Sequence, residues 1–272
     1  MIRVDETEGD AMPTLYEHPL SPYAQKVKIA AREKGIDLAL KTPDGIGAGT
    51  SRGEFAAANP RAEVPALIDG DVQIFDSTII LEYLEDKYPS PPLLPASPAA
   101  RAKVRMIEEV CDTHYEAINW GLGEIAWFRR ATGAKAAEMQ ARAAEQTGRI
   151  QSWLTRQLGS ADWLNGENFG WGDLAVVPYV NGSAGFGNAP GQGTALGRWL
   201  ARVNARPSVA QTAKEARDSI AGMTQIANVL EQGLFKREYR DHRLEWMMKT
   251  GGVEIVLDGL AKDNIRFSHE FE

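Results

Sequence analysis

The chain holds one cysteine, Cys111, among its 272 residues. A single thiol excludes an internal disulfide and fits a reducing compartment. Histidine is scarce as well. His18, His114, His242 and His269 lack the short spacings of a metal site, so no metal is expected. Long apolar runs are missing: none approaches the ~20 residues that cross a bilayer, and no membrane partner is expected. Met1–Asp10 is acidic with no apolar stretch, unlike a signal peptide. Positive charge is in deficit, 30 Lys and Arg against 37 Asp and Glu, for a net charge of −7. That balance argues against a nucleic-acid binder, which would present a basic face. No repeat of fixed period is evident. What remains is the composition of an ordinary globular protein, 43% hydrophobic and 25% charged, long enough for one large or two modest domains. The expected setting is the cytoplasm, with residues 1–13 a disordered acidic tail.

From Thr14 onward, short strands alternate with helices. Thr14–His18 reads as a strand and Pro22–Lys34 as a helix ended by Gly35. Ile36–Lys41 is a second strand, and the glycine-rich Thr42–Ser51 a loop leading into a helical turn at Arg52–Ala58. Val64–Ile68 and Val72–Phe75 form a hairpin across Asp69-Gly70. Ser77 then opens a helix with Ile80, Leu81 and Leu84 at helical spacing. This alternation is that of an α/β unit. The proline-rich Tyr88–Pro95 reads as a linker. Beyond Ser97-Pro98, a capping serine with proline at the first helical position, strand patterns vanish. Ala99–Arg130, Ala134–Leu158, Leu174–Val180, Ala195–Ala205 and Val209–Ala221 read as helices, and Gly182–Gly193 as a loop. Pro207 closes the main helical body. Past Ala221, Leu230–Met248 reads as a packed helix, and Val253–Leu257 as either a strand or helical turns.

Three local features of the first unit bear on chemistry. Ser21-Pro22-Tyr23-Ala24 follows a strand and opens a helix, a frame that resembles the Cys-Pro-Tyr-Cys of glutaredoxins with both cysteines replaced. Disulfide exchange needs an attacking thiolate, so any thiol chemistry here must use a thiol brought by a ligand, and that ligand would be glutathione. Alone, Ser21 before Pro22 is a helix cap. Val64-Pro65 places proline at the opening of a sheet strand, where a cis bond at a tight turn would account for it. Asp76-Ser77 stands at a helix N-terminus, which offers unpaired N–H groups and a positive dipole end to a carboxylate.

On these residues the chain resembles the glutathione transferase family, over Thr14–Ser208 and most strongly over Thr14–Tyr88. The resemblance implies an α/β thioredoxin-like N-terminal domain (14–90), a linker (91–97), an all-helical domain (98–221), a C-terminal extension (222–272) and a homodimer. It also implies site residues. Ser21 would support the glutathione sulfur, Val64 would pair its backbone with the cysteinyl part, and Asp76 and Ser77 would hold the γ-glutamyl end. Glu63 is expected to contribute its backbone. Arg52 suits the glycine carboxylate through a charge-assisted hydrogen bond, and equally suits an ordinary surface. Two positions depart from the family pattern. Asp76 stands where Glu or Gln is usual, and Gly170 where Ser or Thr caps a helix, with Asp173 retained three residues on. Phe169-Gly170-Trp171 looks like some bacterial members, among them glutathione lyases and β-etherases.

The implied activity is glutathione transfer to a small apolar, aromatic electrophile. The same site would serve β-ether cleavage, thioether lysis or dehalogenation, and a non-catalytic binding protein is the reading from another class. Tyr115 and Asn119 share one face of a long helix with Leu122, while Trp120 and Trp127 share another. One face is core and the other a substrate wall; Tyr115 and Asn119 are the candidates for the wall. Cys111 reads as an inert buried thiol, and His18 as a strand-end residue.

Overall fold

The computed structural model describes residues 12–44, 51–221, 227–228, 232, 239 and 241–265. The first unit runs β1 (Thr14–Tyr16), α1 (Pro22–Lys34), β2 (Ala39–Lys41), α2 (Gly53–Ala58), β3 (Ala66–Asp69), β4 (Val72–Phe75) and α3 (Ser77–Lys87). The sheet order is β2-β1-β3-β4. β1 is parallel to β2 and antiparallel to β3, and β3 is antiparallel to β4. A parallel pair needs a crossover, and α1 supplies it. Its start is set by the Ser21 hydroxyl, which accepts the Ala24 amide at 3.2 Å, and by Pro22; its end by Gly35 at φ 67°.

The strands are shorter than their apolar patterns. β1 stops at Tyr16 and β2 begins at Ala39. β3 begins at Ala66, because Pro65 has no N–H to give the ladder. The hairpin turn lies at Gly70-Asp71, one residue later than expected. Pro13, expected in the acidic tail, is buried, and its carbonyl accepts the Ala39 amide at 2.9 Å. Residues 1–11, the rest of that tail, lie outside the described residues. The register pairs Tyr16 with Ala66 and Ala66 with Phe75. The C-terminal ends of β1 and β4 and the start of β3 therefore meet at one edge of the sheet. The chain leaving that edge carries Ser21, Val64-Pro65 and Asp76-Ser77.

The helical part comprises α4 (Pro98–Val110), a π turn (Cys111–Tyr115), α5 (Glu116–Ala126), α6 (Gly133–Leu158), α7 (Trp171–Leu174), α8 (Val177–Gly185), α9 (Ala195–Asn204) and α10 (Pro207–Ala221). Two short helices follow, α11 (His242–Lys249) and α12 (Val253–Ala261). Several expectations change here. The helix anticipated over Ala99–Arg130 is two helices joined by the π turn and stops at Ala126. Gly182–Gly185 completes α8 rather than a loop. Gly182 packs against α5, where an added Cβ would stand 3.1 Å from Asn119 Nδ2. Pro207 opens α10, which packs on α1, so it starts the last helix of the body instead of closing it. Val253–Leu257 is helical. Of the packed helix expected over Leu230–Met248, residues 230–231, 233–238 and 240 lie outside the described residues, and α11 leaves Leu244, Trp246 and Met248 exposed. Among the described residues no helix is long and apolar enough to cross a membrane.

One apolar core runs through both parts, from Leu15, Val27, Ile80 and Leu84 through Leu93 and Leu94 to Val104, Ile107, Leu154, Trp171 and Trp199. The expected linker is thus packed, not loose. Glu85 accepts the Leu93 and Leu94 amides at 2.9 and 3.0 Å, and Lys34 Nζ donates to the carbonyls of Tyr88 and Pro91 at 2.7 and 2.8 Å.

Around this core the contact between α1 and the helical part is ionic. Lys26 is fully buried, with Nζ 2.6 Å from Glu108 Oε1 and 2.7 Å from Asp112 Oδ2. Burial alone would lower the lysine pKa, but the two carboxylates outweigh it and raise it, so the ammonium stays charged. Thr78 Oγ1 at 2.9 Å and the Trp171 indole N–H complete the partners of Glu108. The Tyr179 hydroxyl donates to Asp112 Oδ1 at 2.6 Å. Further along α1, Lys28 pairs with Glu17 at 2.9 Å and Glu215 at 3.0 Å, and Glu33 with Arg206 at 2.5 Å.

Asp173 organises the start of α7. It accepts N–H groups from Leu164 (2.8 Å), Asn165 (3.3 Å), Gly170 (3.1 Å) and the Trp199 indole (2.7 Å). Burial pushes its carboxyl up to about 6 while the four donors pull it down, so it is ionised at neutral pH. Gly170 also has a physical reason: a Cβ there would collide with the Asn165 side chain and the Leu93 carbonyl. Gly170→Ser, which installs the family's usual and intrinsically better cap, is therefore expected to destabilise the protein by about 1–3 kcal/mol, measured by urea unfolding. Lys26→Met leaves two buried carboxylates without their cation and is expected to cost about 3–5 kcal/mol in the same measurement.

Candidate active site

Ser21, Val64, Asp76 and Ser77, four residues separated by more than fifty positions, come together at the sheet edge. The Ser21 hydroxyl lies 3.5 Å from the Val64 carbonyl, at the limit of hydrogen-bond reach. The Val64-Pro65 peptide bond is cis, as its sequence context suggested. Asp76 occupies φ 77°, a costly conformation for a residue with a Cβ and one found most often at functional positions. Its Oδ1 caps α3, accepting the Thr78 amide at 3.0 Å and that of Ile79 at 3.4 Å. Ser77 is buried as the first residue of α3. The result is a notch between two helix N-termini, with a hydroxyl at one end and a carboxylate at the other. The helix N-termini offer positive dipole ends to an anionic group, and the Asp76 carboxylate offers a partner to a cationic one.

Arg61 belongs to this notch, and the sequence reading missed it. Its Nε is 3.4 Å from Glu63 Oε2, a terminal nitrogen is 3.9 Å from Asp76 Oδ2, and the guanidinium lies 4.9 Å from the Phe75 ring centroid. The signal was present, a cation two residues before an acid at the mouth of a strand, but only folding brings Asp76 beside it. Glu63 thus has a counter-ion, and its carbonyl accepts the Asn59 side-chain amide at 2.6 Å. Arg52 stands exposed at the N-cap of α2, without a side-chain cap bond. The Tyr16 hydroxyl donates to Glu54 at 2.6 Å, which with burial raises its pKa to about 12 and withholds it from a thiol.

The turn into Ser21 is held by His18. Its carbonyl accepts the Ser21 amide at 2.9 Å, and its Nδ1 accepts the Leu20 amide at 3.2 Å. His18 lies past the end of β1 rather than in it. Burial lowers its pKa, with Glu17 opposing and Lys28 assisting, which keeps Nδ1 free to accept.

On the helical side, Tyr115 is fully buried and bonded through its hydroxyl to Ser183 (2.7 Å) and Gln151 (3.0 Å). It is core, not a cleft wall. Asn119 faces the same way, its Nδ2 donating to the Tyr179 carbonyl at 2.9 Å. The Tyr115–Asn119–Leu122 face is therefore the packed one. Next to it, Glu116 and Trp120 form a half-buried stripe, one turn apart on α5, bordered by exposed Thr113 and Ala117. The stripe continues from Asp112, whose carbonyl accepts the Tyr23 hydroxyl at 2.7 Å, two residues after Ser21. Cys111 is buried, and desolvation raises its thiol pKa well above the ordinary value, so it is no nucleophile.

Known families and structures share this fold. Residues 15–92 match the description "Glutathione S-transferase, N-terminal domain", and residues 95–207 match "Glutathione S-transferase, C-terminal domain". A Stringent starvation protein A homolog from Coxiella burnetii is 38% identical over 94 residues, 35% of this chain and 44% of that protein. The chain thus spans less than half of that relative's length. Glutathione S-transferase 3 from Zea mays is 30% identical over 208 residues, 73% of this chain and 91% of that one. A glutathione S-transferase structure from Methylobacterium radiotolerans, a complex with glutathione sulfonate, superposes with a TM-score of 0.62 at 30% identity, covering 74% of this chain and 94% of its own. Two consecutive domain matches that meet at the packed linker, with a relative matched over nine-tenths of its length, show that the chain belongs to the glutathione S-transferase family.

Proposed function

We propose that the protein is a glutathione transferase that binds glutathione in the notch at the sheet edge and presents its thiolate to an apolar, aromatic electrophile. The observation that carries this reading is the convergence of Ser21, Val64 and Asp76-Ser77 on one edge, with Arg61 among the carboxylates. In this reading the Val64 backbone pairs with the cysteinyl part, and the α3 N-terminus with Asp76 and Ser77 receives the γ-glutamyl end. Glu63 and Arg52 lie toward the rest of the tripeptide, and Asn119 sits behind the substrate wall rather than in it. The glutathione sulfonate complex of the Methylobacterium relative supports the choice of ligand for this site.

The chemistry follows from the local field. A thiol with a pKa near 8.5 is only roughly 3% ionised at pH 7. The Ser21 hydroxyl donates one hydrogen bond to the sulfur, and the α1 N-terminus adds its partial positive charge. A shift of about 1.5–2 units brings the thiolate to half or more, for roughly 2–3 kcal/mol of differential stabilisation. The proton goes to solvent, the sulfur forms a bond to carbon, and the leaving group departs with the electron pair of the bond it breaks. Exposed Ile79 and Met106, on the outer faces of α3 and α4, support a homodimer through that side. The lone buried cysteine supports a cytoplasmic setting and, with an aromatic substrate, a detoxifying role. A non-catalytic glutathione-binding reading is favoured by one feature, the two carboxylates of Glu63 and Asp76 set where an anionic ligand must dock.

Ser21→Ala separates the two readings. Ultraviolet titration of bound glutathione is expected to show the thiol pKa rising by about 1–2 units in the variant. Turnover with 1-chloro-2,4-dinitrobenzene should fall about 10–100-fold while glutathione affinity changes less than threefold. An unshifted thiol pKa in the wild type would select the non-catalytic reading. His18 gives a pH test. Its folded pKa lies below the unfolded value near 6.5, so the unfolded chain binds the extra proton and stability falls as pH drops below about 6.5. His18→Gln is expected to flatten that loss, seen as a smaller drop in Tm between pH 7 and pH 5 than in the wild type.

A further inference from the structure

The rod that runs from α4 into α5 is interrupted by the π turn at Cys111–Tyr115. In a regular helix the Glu116 amide would donate to the Asp112 carbonyl, four residues back. Here it donates to the Cys111 carbonyl, five residues back. The shift withdraws the amide that a regular helix would give Asp112, and the Asp112 carbonyl accepts the Tyr23 hydroxyl at 2.7 Å. Single π turns within α-helices recur at functional sites. The Asp112 side chain serves the same region, with Oδ2 2.7 Å from Lys26 Nζ and Oδ1 accepting the Tyr179 hydroxyl at 2.6 Å. Those two partners also meet the Tyr23 ring: Lys26 Nζ lies 5.9 Å from its centroid, and the Tyr179 ring stands edge-on at 6.2 Å. One residue of the rod thus grips α1 by main chain and side chain, at Tyr23 and at Lys26 one turn on.

The hold on Ser21 itself is looser. Its hydroxyl accepts the Ala24 amide at 3.2 Å and stands 3.5 Å from the Val64 carbonyl. Gln25 Nε2 donates to the Pro19 carbonyl at 2.8 Å, but that bond lies within the turn and moves with it. Tyr23, two residues after Ser21, ties the turn to the helical part. A hydrogen bond weakens steeply with misalignment, so a hydroxyl that must donate to a sulfur depends on where its turn is held. We propose that Tyr23 is a positioning residue for the Ser21 hydroxyl, anchored on the carbonyl that the π turn releases, so that the helical part sets the direction of the hydrogen bond Ser21 gives to a thiol. The inference rests on the glutathione reading for the identity of that thiol. Tyr23 acts through Ser21, because its own O–H is committed to Asp112.

The test is a double-mutant cycle on the full chain: wild type, Ser21→Ala, Tyr23→Phe and the two changes together, with thermal melts verifying each fold. Tyr23→Phe keeps the ring against Lys26 and Tyr179 and gives up the bond to Asp112. Ultraviolet titration of bound glutathione is expected to show the thiol pKa about 0.5–1 unit higher in Tyr23→Phe than in the wild type. The kcat with 1-chloro-2,4-dinitrobenzene should fall about three- to tenfold, while glutathione affinity stays within about twofold. In the Ser21→Ala background the same change should add less than about a third of that pKa shift, because the residue through which Tyr23 acts is gone. Tyr83→Phe removes a hydroxyl bonded to Asp69 at 2.8 Å, at the other end of β3, and should leave the thiol pKa in place. An unmoved thiol pKa in Tyr23→Phe, a shift of equal size with and without Ser21, or the same shift in Tyr83→Phe would overturn the assignment. A readout that needs no thiol is amide exchange by NMR at Ala24, whose N–H is bonded to the Ser21 hydroxyl. Tyr23→Phe should speed exchange there about threefold or more relative to Thr78 at the start of α3. Faster exchange supports the tie even if glutathione fails to bind, a failure that would count against the glutathione reading alone. Equal exchange in both proteins would count against the tie.

Discussion

The buried ammonium of Lys26 is the constraint on which the two halves of this protein agree. It sits on α1, six residues from the end of the strand-to-helix turn that carries His18–Pro19, and reaches Glu108 and Asp112 on the rod formed by α4, the π turn and α5. A buried ion pair is a poor source of net stability, because desolvation takes back most of what the charges return. Its effect is on position. Slipping α1 by one residue would bury two carboxylates with no cation, a penalty far larger than any loss of apolar contact. Asp112 adds a second tie through its main chain, where its carbonyl accepts the Tyr23 hydroxyl. The helix whose first turn holds Ser21 is thereby fixed, in rotation and along its axis, against the helical part.

The cluster of Ser21, Val64 and Asp76-Ser77 depends on a different and more local rule. In this sheet the register puts the exit of β1, the entry of β3 and the exit of β4 at the same edge. Each crossing delivers one element of the notch: a helix cap, a proline-held backbone and a second helix cap. No long side chain has to reach across the molecule. That is why a shorter acid such as Asp76 can be accommodated: its carboxylate is engaged with the α3 N-terminus, and Arg61 meets it from the neighbouring turn.

The same distinction explains what was legible in the sequence. Caps, prolines and turn glycines act over a few residues, so Ser21-Pro22, Gly35, the cis Val64-Pro65 and Asp76-Ser77 could be read directly, and with them the first domain. Lys26 and Lys28 carry no such local sign, because nothing nearby in sequence indicates that Glu108, Asp112 and Glu215 will cover them. Tyr115 looked as suited to a cleft as Trp120, since helical periodicity gives two faces and no label for the inner one. Gly182–Gly185 read as loop from composition, whereas Gly182 serves close packing of α8 against α5. Arg61 was overlooked for the same reason as the lysines: its second partner is fifteen residues away and arrives only through the hairpin.

These two kinds of information divide the protein's work. The cluster at the end of the sheet requires two helix caps and a proline-held backbone, all specified locally and all on the first domain. The α5 stripe of Glu116 and Trp120 depends instead on contacts between distant segments, Tyr239 against Trp120 among them. Coupling at Asp112 fixes the first turn of α1 against the rod, while Trp120, two turns beyond it, meets a residue that arrives from far along the chain.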